Sequence, residues 1–242
     1  MYGPNRSLRA VVGAVLVAGQ LGGREASPLP AQFVARLGAL PATEVVNLVA
    51  TQAYRYSQLS VPGFDRMLTL YAIPNPGGNP TVLACYASAA FAAYMRTCEQ
   101  IVATLRLERQ PPSYGLAPDP GYARHVGALI EVLNGERVTL REGMRRKVTL
   151  ATVQSLATRL AHGFASAAAS LSSLEPTLAV AQARAMLYGS ILRARDAYAA
   201  LAAAAEAQSQ SRYSAARAQV YEAEANINTA LENFALLGYA HN

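Results

Sequence analysis

The residues of this sequence best able to do chemistry are its arginines. Of the 21 basic residues only Lys147 is a lysine, and the formal charge is +6. A planar guanidinium grips phosphate with two parallel hydrogen bonds and stacks on bases, where an ammonium offers only a point charge. The basic residues concentrate once, between Arg137 and Lys147. On a helix Arg137, Arg141 and Arg145 fall at i, i+4 and i+8 on one face, flanked by Arg146 and Lys147. Five positive charges against Glu136 and Glu142 leave the segment at net +3. Such a face makes a phosphate-backbone track, with salt-dependent and sequence-independent affinity, which suits a protein that coats nucleic acid. The blander alternative is a solvated face with partial ion pairing. The pairs Arg106/Arg109, Arg193/Arg195 and Arg212/Arg217 extend the track, and Tyr114, Tyr198 and Tyr213 beside them offer rings for unpaired bases.

Other chemistry finds little support. His125, His162 and His241 have no second ligand at metal-binding spacing, so neither metal nor cofactor is expected. No nucleophile elbow, phosphate loop or dinucleotide fingerprint occurs. Glu131, Glu136 and Glu142 each have an arginine nearby, which makes ion pairing simpler than acid–base work. The expectation is a protein that is not an enzyme. Cys85 and Cys98 fall in a segment that reads as continuous helix. Thirteen residues at ~1.5 Å each would hold them roughly 20 Å apart, so they are expected to stay unpaired in a reducing compartment.

The elements that must carry these residues read as helices throughout. Hydrophobic residues make up 52% of the chain and aromatic ones only 7%, so alanine, the best helix former, supplies much of the core. Helices are expected before residue 22, over 42–59, 64–73 and 80–109, from Pro120 behind an Asp119 cap to Asn134-Gly135, over 136–147, and over 149–174. From 136 to 147 a short strand is the alternative. Pro74 to Pro80 and Pro111 to Gly121 are loops. From Pro176 onward an antiparallel helical hairpin is expected, broken at Gln208 to Ser211 and capped by Gly238. The fold class is therefore all-α: an N-terminal arm or helix over 1–26, a helical core over 27–175 and a C-terminal helical hairpin over 176–242. Arg6 and Arg9 followed by the apolar run Ala10 to Gly19 also resemble a secretory signal, and that run is too short to span a membrane.

An all-helical fold with arginine-based charge resembles the coat proteins of rod-shaped and filamentous RNA viruses. Gln32-Phe33-Val34, Glu44 and Asn47-Leu48 are similar to the stretch opening the first bundle helix of tobacco-mosaic-type coat proteins, and Arg145-Arg146-Lys147 is the run comparable to that family's RNA-contacting segment. The richness in Pro, Ala and Ser is similar to that of genome-coating proteins of fungal RNA viruses. The resemblance implies a capsid or nucleocapsid protein of the virion or cytoplasm that self-assembles and binds RNA through Arg137, Arg141, Arg145, Arg146 and Lys147. The competing reading is a bacterial helical-bundle scaffold or adaptor that binds protein partners and no nucleic acid.

Overall fold

A computed structural model describes residues 15–20, 28–74, 80–106, 115–145 and 149–239. They are not all helical. The chain divides into two compact units, Met1–Pro118 with Asn233–Ala240, and Asp119–Glu232 with His241–Asn242. The first is built on a sheet and the second on helices.

In the sheet unit, β1 (Val15–Gln20), β2 (Glu44–Asn47), β3 (Gln52–Val61), β4 (Phe64–Ile73) and β5 (Thr81–Ala87) form one antiparallel sheet in the order β1-β5-β4-β3-β2. Helices α1 (Ala31–Leu37) and α2 (Ala93–Ala103) accompany it. The all-α expectation is thus corrected over 15–20, 44–73 and 81–87, and the N-terminal helical arm is corrected with it. Leu68 to Ile73 of β4 are buried without interruption, as are neighbouring Ala53 and Tyr54 of β3, because both faces of the sheet are covered. A strand buried on both faces loses its alternation and reads like a buried helix. Its punctuation is the better signal. Val61-Pro62-Gly63-Phe64 closes the β3–β4 hairpin with Gly63 at φ 80°, a turn position that demands the left-handed region. Gln58, at φ 54°, sits where the β3–β4 register shifts, the mark of a bulge.

The cysteine expectation is corrected for the same reason. Cys85 lies on β5 and Cys98 on α2, so the chain doubles back between them; their Cα atoms are 6.0 Å apart and the two form a disulfide. Around it lies one apolar cluster in which Ala53, Tyr71, Ile73, Leu83 and Cys85 of the sheet meet Met95, Cys98 and Val102 of α2. Arg55 of β3 ties the edge of this layer together, bonding Glu44 of β2 at 2.9 Å and Glu99 of α2 at 2.7 Å. Burial opposes the Arg55 charge, but the two carboxylates outweigh it and hold its pKa well above the ordinary arginine value. Tyr54 and Tyr56, fully buried, belong to the opposite face. The Tyr54 hydroxyl donates to the Leu116 carbonyl at 3.5 Å and that of Tyr56 to the Leu236 carbonyl at 2.7 Å.

The helical unit holds α3 (Pro120–Arg145), α4 (Leu150–Ser173), α5 (Ala181–Glu206) and α6 (Gln210–Leu236), whose last turn is counted with the sheet unit. Short connections make successive helices antiparallel neighbours. Asp119 Oδ1 accepts from the Tyr122 amide at 2.6 Å behind Pro120, and Thr149 Oγ1 accepts from the Thr152 amide at 3.2 Å, so both helices start on side-chain caps. The expected stop at Asn134-Gly135 does not occur, and neither does the alternative strand after it; α3 continues to Arg145. Six of the eleven buried residues of α5 are alanines, which lets its neighbours approach closely. The break between α5 and α6 falls at Ala207 to Ser209, with Gln208 at φ 51°.

Candidate functional site

The arginine track is the first test of the sequence reading, and the helix it rides on turns it partly inward. Arg137 is buried: its Nη1 donates to Asn134 Oδ1 at 2.8 Å, its Nη2 lies 3.6 Å from Glu224 Oε2, and its Nε is buried with no partner. Arg141, one turn on, places Nη1 2.5 Å from the same Glu224 oxygen. Arg145 ends α3, and Arg146 and Lys147 lie outside the described residues. The structure therefore brings Arg137 and Arg141 together on a carboxylate of α6. It does not gather the five into one outward face.

Each of the four helices contributes to this layer. The Tyr198 hydroxyl of α5 donates to Glu224 Oε1, and the Tyr198 ring stacks on Phe164 of α4 with centroids 5.5 Å apart. Burial first, and the Glu224 carboxylate second, raise the Tyr198 pKa far above the usual phenol value, so the ring stays a donor. Two guanidiniums against one carboxylate leave the layer at a net charge of +1. Such an arrangement is weak as a source of stability and strong as a constraint on helix register, because any slip strands a buried charge.

On another face of α3 lies a half-open groove of about 710 Å³ between α3 and α4. Leu129, Val132 and Leu133 of α3 line it with Gly163 and Ala167 of α4 and with Leu174 just beyond it, and His125, Glu136, Arg159 and His162 supply its polar groups. The Glu136 carboxylate lies over Gly163 so closely that a Cβ there would overlap it. His125 Nδ1 sits 2.8 Å from the Gly121 carbonyl, so in the neutral ring that nitrogen carries the proton and Nε2 is the acceptor. Two histidines that look isolated in sequence thus share one groove. Among the described residues no group of three His, Cys, Asp or Glu is placed to hold a metal ion, and no helix is long and apolar enough to cross a membrane.

No protein-family model matches the chain, and no curated protein or solved structure is significantly similar to it. The site residues stand on geometry alone. Glu224 was legible in principle: it falls four residues after Val220 and three before Ile227, both buried, so it is a charge on the apolar stripe of α6. The groove carried no such signal, because its two walls are more than 20 residues apart and its lining is ordinary helix surface.

Proposed function

We propose that this chain is a structural subunit that assembles with copies of itself and coats nucleic acid, RNA foremost, through arginine–phosphate contacts. The carrying observation is the surface of the helical unit, where large apolar side chains stand in solvent beside exposed guanidinium groups. Val132 and Val138 are each 66% exposed and Leu178 is 75% exposed, and Val132 borders the α3–α4 groove. Exposed single hydrophobics are ordinary, whereas one that stands out at the rim of an apolar groove, as Val132 does, favours docking. Arg217 lies over the ring of Tyr221, 5.7 Å from its centroid, and that ring is 54% exposed. Such a pair offers a base a stacking platform and a phosphate a charge. The sequence suggested Tyr114, Tyr198 and Tyr213 for this role; Tyr198 is instead buried against Phe164, and Tyr114 lies outside the described residues.

Because Glu224 holds Arg137 and Arg141, the phosphate contacts fall on Arg145, on Arg146 and Lys147 that follow it in sequence, and on Arg212 and Arg217 of α6. The disulfide moves the expected setting to one where thiols oxidise, such as a virion surface or a compartment outside the cytosol. The test is to purify the chain, follow its nucleic-acid absorbance before and after nuclease, and look for assemblies by electron microscopy. Replacing Arg145 and Arg146 by Gln should lower affinity for single-stranded RNA and flatten its log–log salt dependence by about 1.4, at roughly 0.7 per phosphate contact. A monomer that binds no RNA at low salt overturns the proposal.

One observation favours a second reading, a helical scaffold that binds protein partners without nucleic acid. The first two arginines of the track pair with an internal carboxylate, Arg137 buried and Arg141 only partly open to solvent. Oligomers or protein complexes that carry no RNA, and that survive the Arg145/Arg146 replacement, would decide for it.

A further inference from the structure

We infer that strand β1 is an exchangeable arm, and that the β5 edge of one copy accepts β1 from another. The inference rests on the self-assembly half of the proposed function and supplies its mechanism. β1 precedes every other described element and occupies an outer position in the sheet, paired with β5 alone. Its ladder runs from Val15 opposite Tyr86 to Gln20 opposite Thr81.

The acceptor is held without help from β1. β5 pairs with β4 on its other side, from Met67 opposite Ala87 to Ile73 opposite Thr81, and its Cys85 is bonded to Cys98 of α2. When β1 leaves, β5 therefore remains a preformed edge of unpaired backbone donors and acceptors. The donor is uncharged: Val-Leu-Val-Ala-Gly-Gln carries neither the charges nor the proline with which natural edge strands discourage pairing. A β1 from a second copy regains the same ladder, so exchange changes the connectivity and leaves the contacts alike. Each copy gives one strand and receives one, so exchange closes as a reciprocal pair or a ring, or runs on as an open chain. The partner is a second copy of this chain, and the strand it contributes completes the sheet.

The test uses the full chain with Val17→Cys in one preparation and Ala84→Cys in another, since these residues face each other across the ladder. Ala84 neighbours Cys85 and so takes the opposite face of β5 from the disulfide, and the native cysteines, being bonded, do not react with a short bis-maleimide. Mixing the two variants before adding the reagent should give a cross-linked species at twice the 25.6 kDa chain mass, in a yield that rises with protein concentration. The double variant V17C/A84C should give a ladder of multiples beside the internally linked monomer. Internal linkage alone in the double variant, with no mixed dimer at concentrations where the chain assembles, overturns strand exchange and leaves assembly standing. No cross-link of either kind also overturns it, because β1 then does not pair with β5. Light scattering on the same samples separates the two ideas: a monomer at every concentration sinks the assembly reading as well.

Discussion

The two units secure a unique structure by different means. The sheet unit ties its layers with directional links between residues far apart in sequence: the Cys85–Cys98 bond, Arg55 bridging Glu44 and Glu99, and Tyr56 and Thr43 donating to carbonyls at the end of α6. The helical unit has an alanine-rich interior that would pack in several registers, and one charged layer around Glu224 that selects among them. Small side chains bring helices close but specify alignment weakly, so a polar contact does the specifying. In the sheet unit the strand ladder already fixes alignment, and the added links instead hold helix to sheet.

The largest effect should come from removing the specifying group. Glu224→Ala leaves Arg137 buried without its counter-charge and should cost about 3–5 kcal/mol in the denaturant transition of the helical unit, nearer the lower figure because the Arg141 side chain is 32% exposed and can turn outward. Replacing Arg137, Arg141 and Glu224 together by Met and Leu should recover most of that stability. If the triple variant is no better than Glu224→Ala, the layer is more than a register device. Next in size, Cys85→Ala with Cys98→Ala opens a link spanning 13 residues and should cost about 3 kcal/mol in the sheet unit alone. A matching loss in the helical transition would mean that the contrast between the units is false.

Tyr56→Phe removes one of two donors on the Leu236 carbonyl; because the Thr43 hydroxyl still reaches that oxygen at 3.1 Å, the loss should be about 1 kcal/mol. Alkaline titration probes both units together. The Tyr71 pKa is pushed up to about 12, first by burial and then by the Glu99 carboxylate, and those of Tyr56 and Tyr198 are raised chiefly by burial. The fold prefers these rings protonated, so their contribution is complete below the ordinary tyrosine pKa of about 10 and is lost as pH climbs toward 12. Tyrosinate absorbance should show Tyr56, Tyr71 and Tyr198, of the 13 tyrosines, ionising late. Smallest is Gly163→Ala, which gains up to about 1 kcal/mol of helix propensity while displacing only the end of the Glu136 side chain. A stabilised variant with weakened assembly would assign the α3–α4 groove to docking.

How far each unit was legible follows from the same contrast. Helices α3 to α6 announce themselves through the periodic apolar residues of α3 and α4, the proline-free run after Pro176, the Asp119-Pro120 start and the Gly238 cap, signals that act within a few residues or along one helix. Gly238 has φ 84°, and the Tyr239 amide bonds the Phe234 carbonyl at 3.1 Å to close the α6 end. The strands were missed for different reasons: Leu68 to Ile73 of β4 are buried with no period to read, β5 alternates in burial but is apolar on both sides, and the alternation of β3 is broken by the bulge at Gln58. The disulfide was missed as a direct consequence, since its spacing was judged along one continuous helix, whereas only Cys98 is helical and Cys85 lies on a strand. Arg137 and Arg141 were rightly placed on one helix face, and their use was not legible because Glu224 lies more than 80 residues away.

The bonds from Thr43 and Tyr56 to Ala235 and Leu236 have a consequence in time. The sheet unit counts Asn233–Ala240 among its parts, and Phe234, Leu236, Leu237 and Tyr239 are all buried there. During synthesis those residues follow the strands by more than 140 positions. At about 5–20 residues per second, a sheet begun early waits on the order of ten seconds or more for the segment that finishes it. Through that interval the later-made helices can close first, and the strands stand exposed to neighbouring copies on the same message.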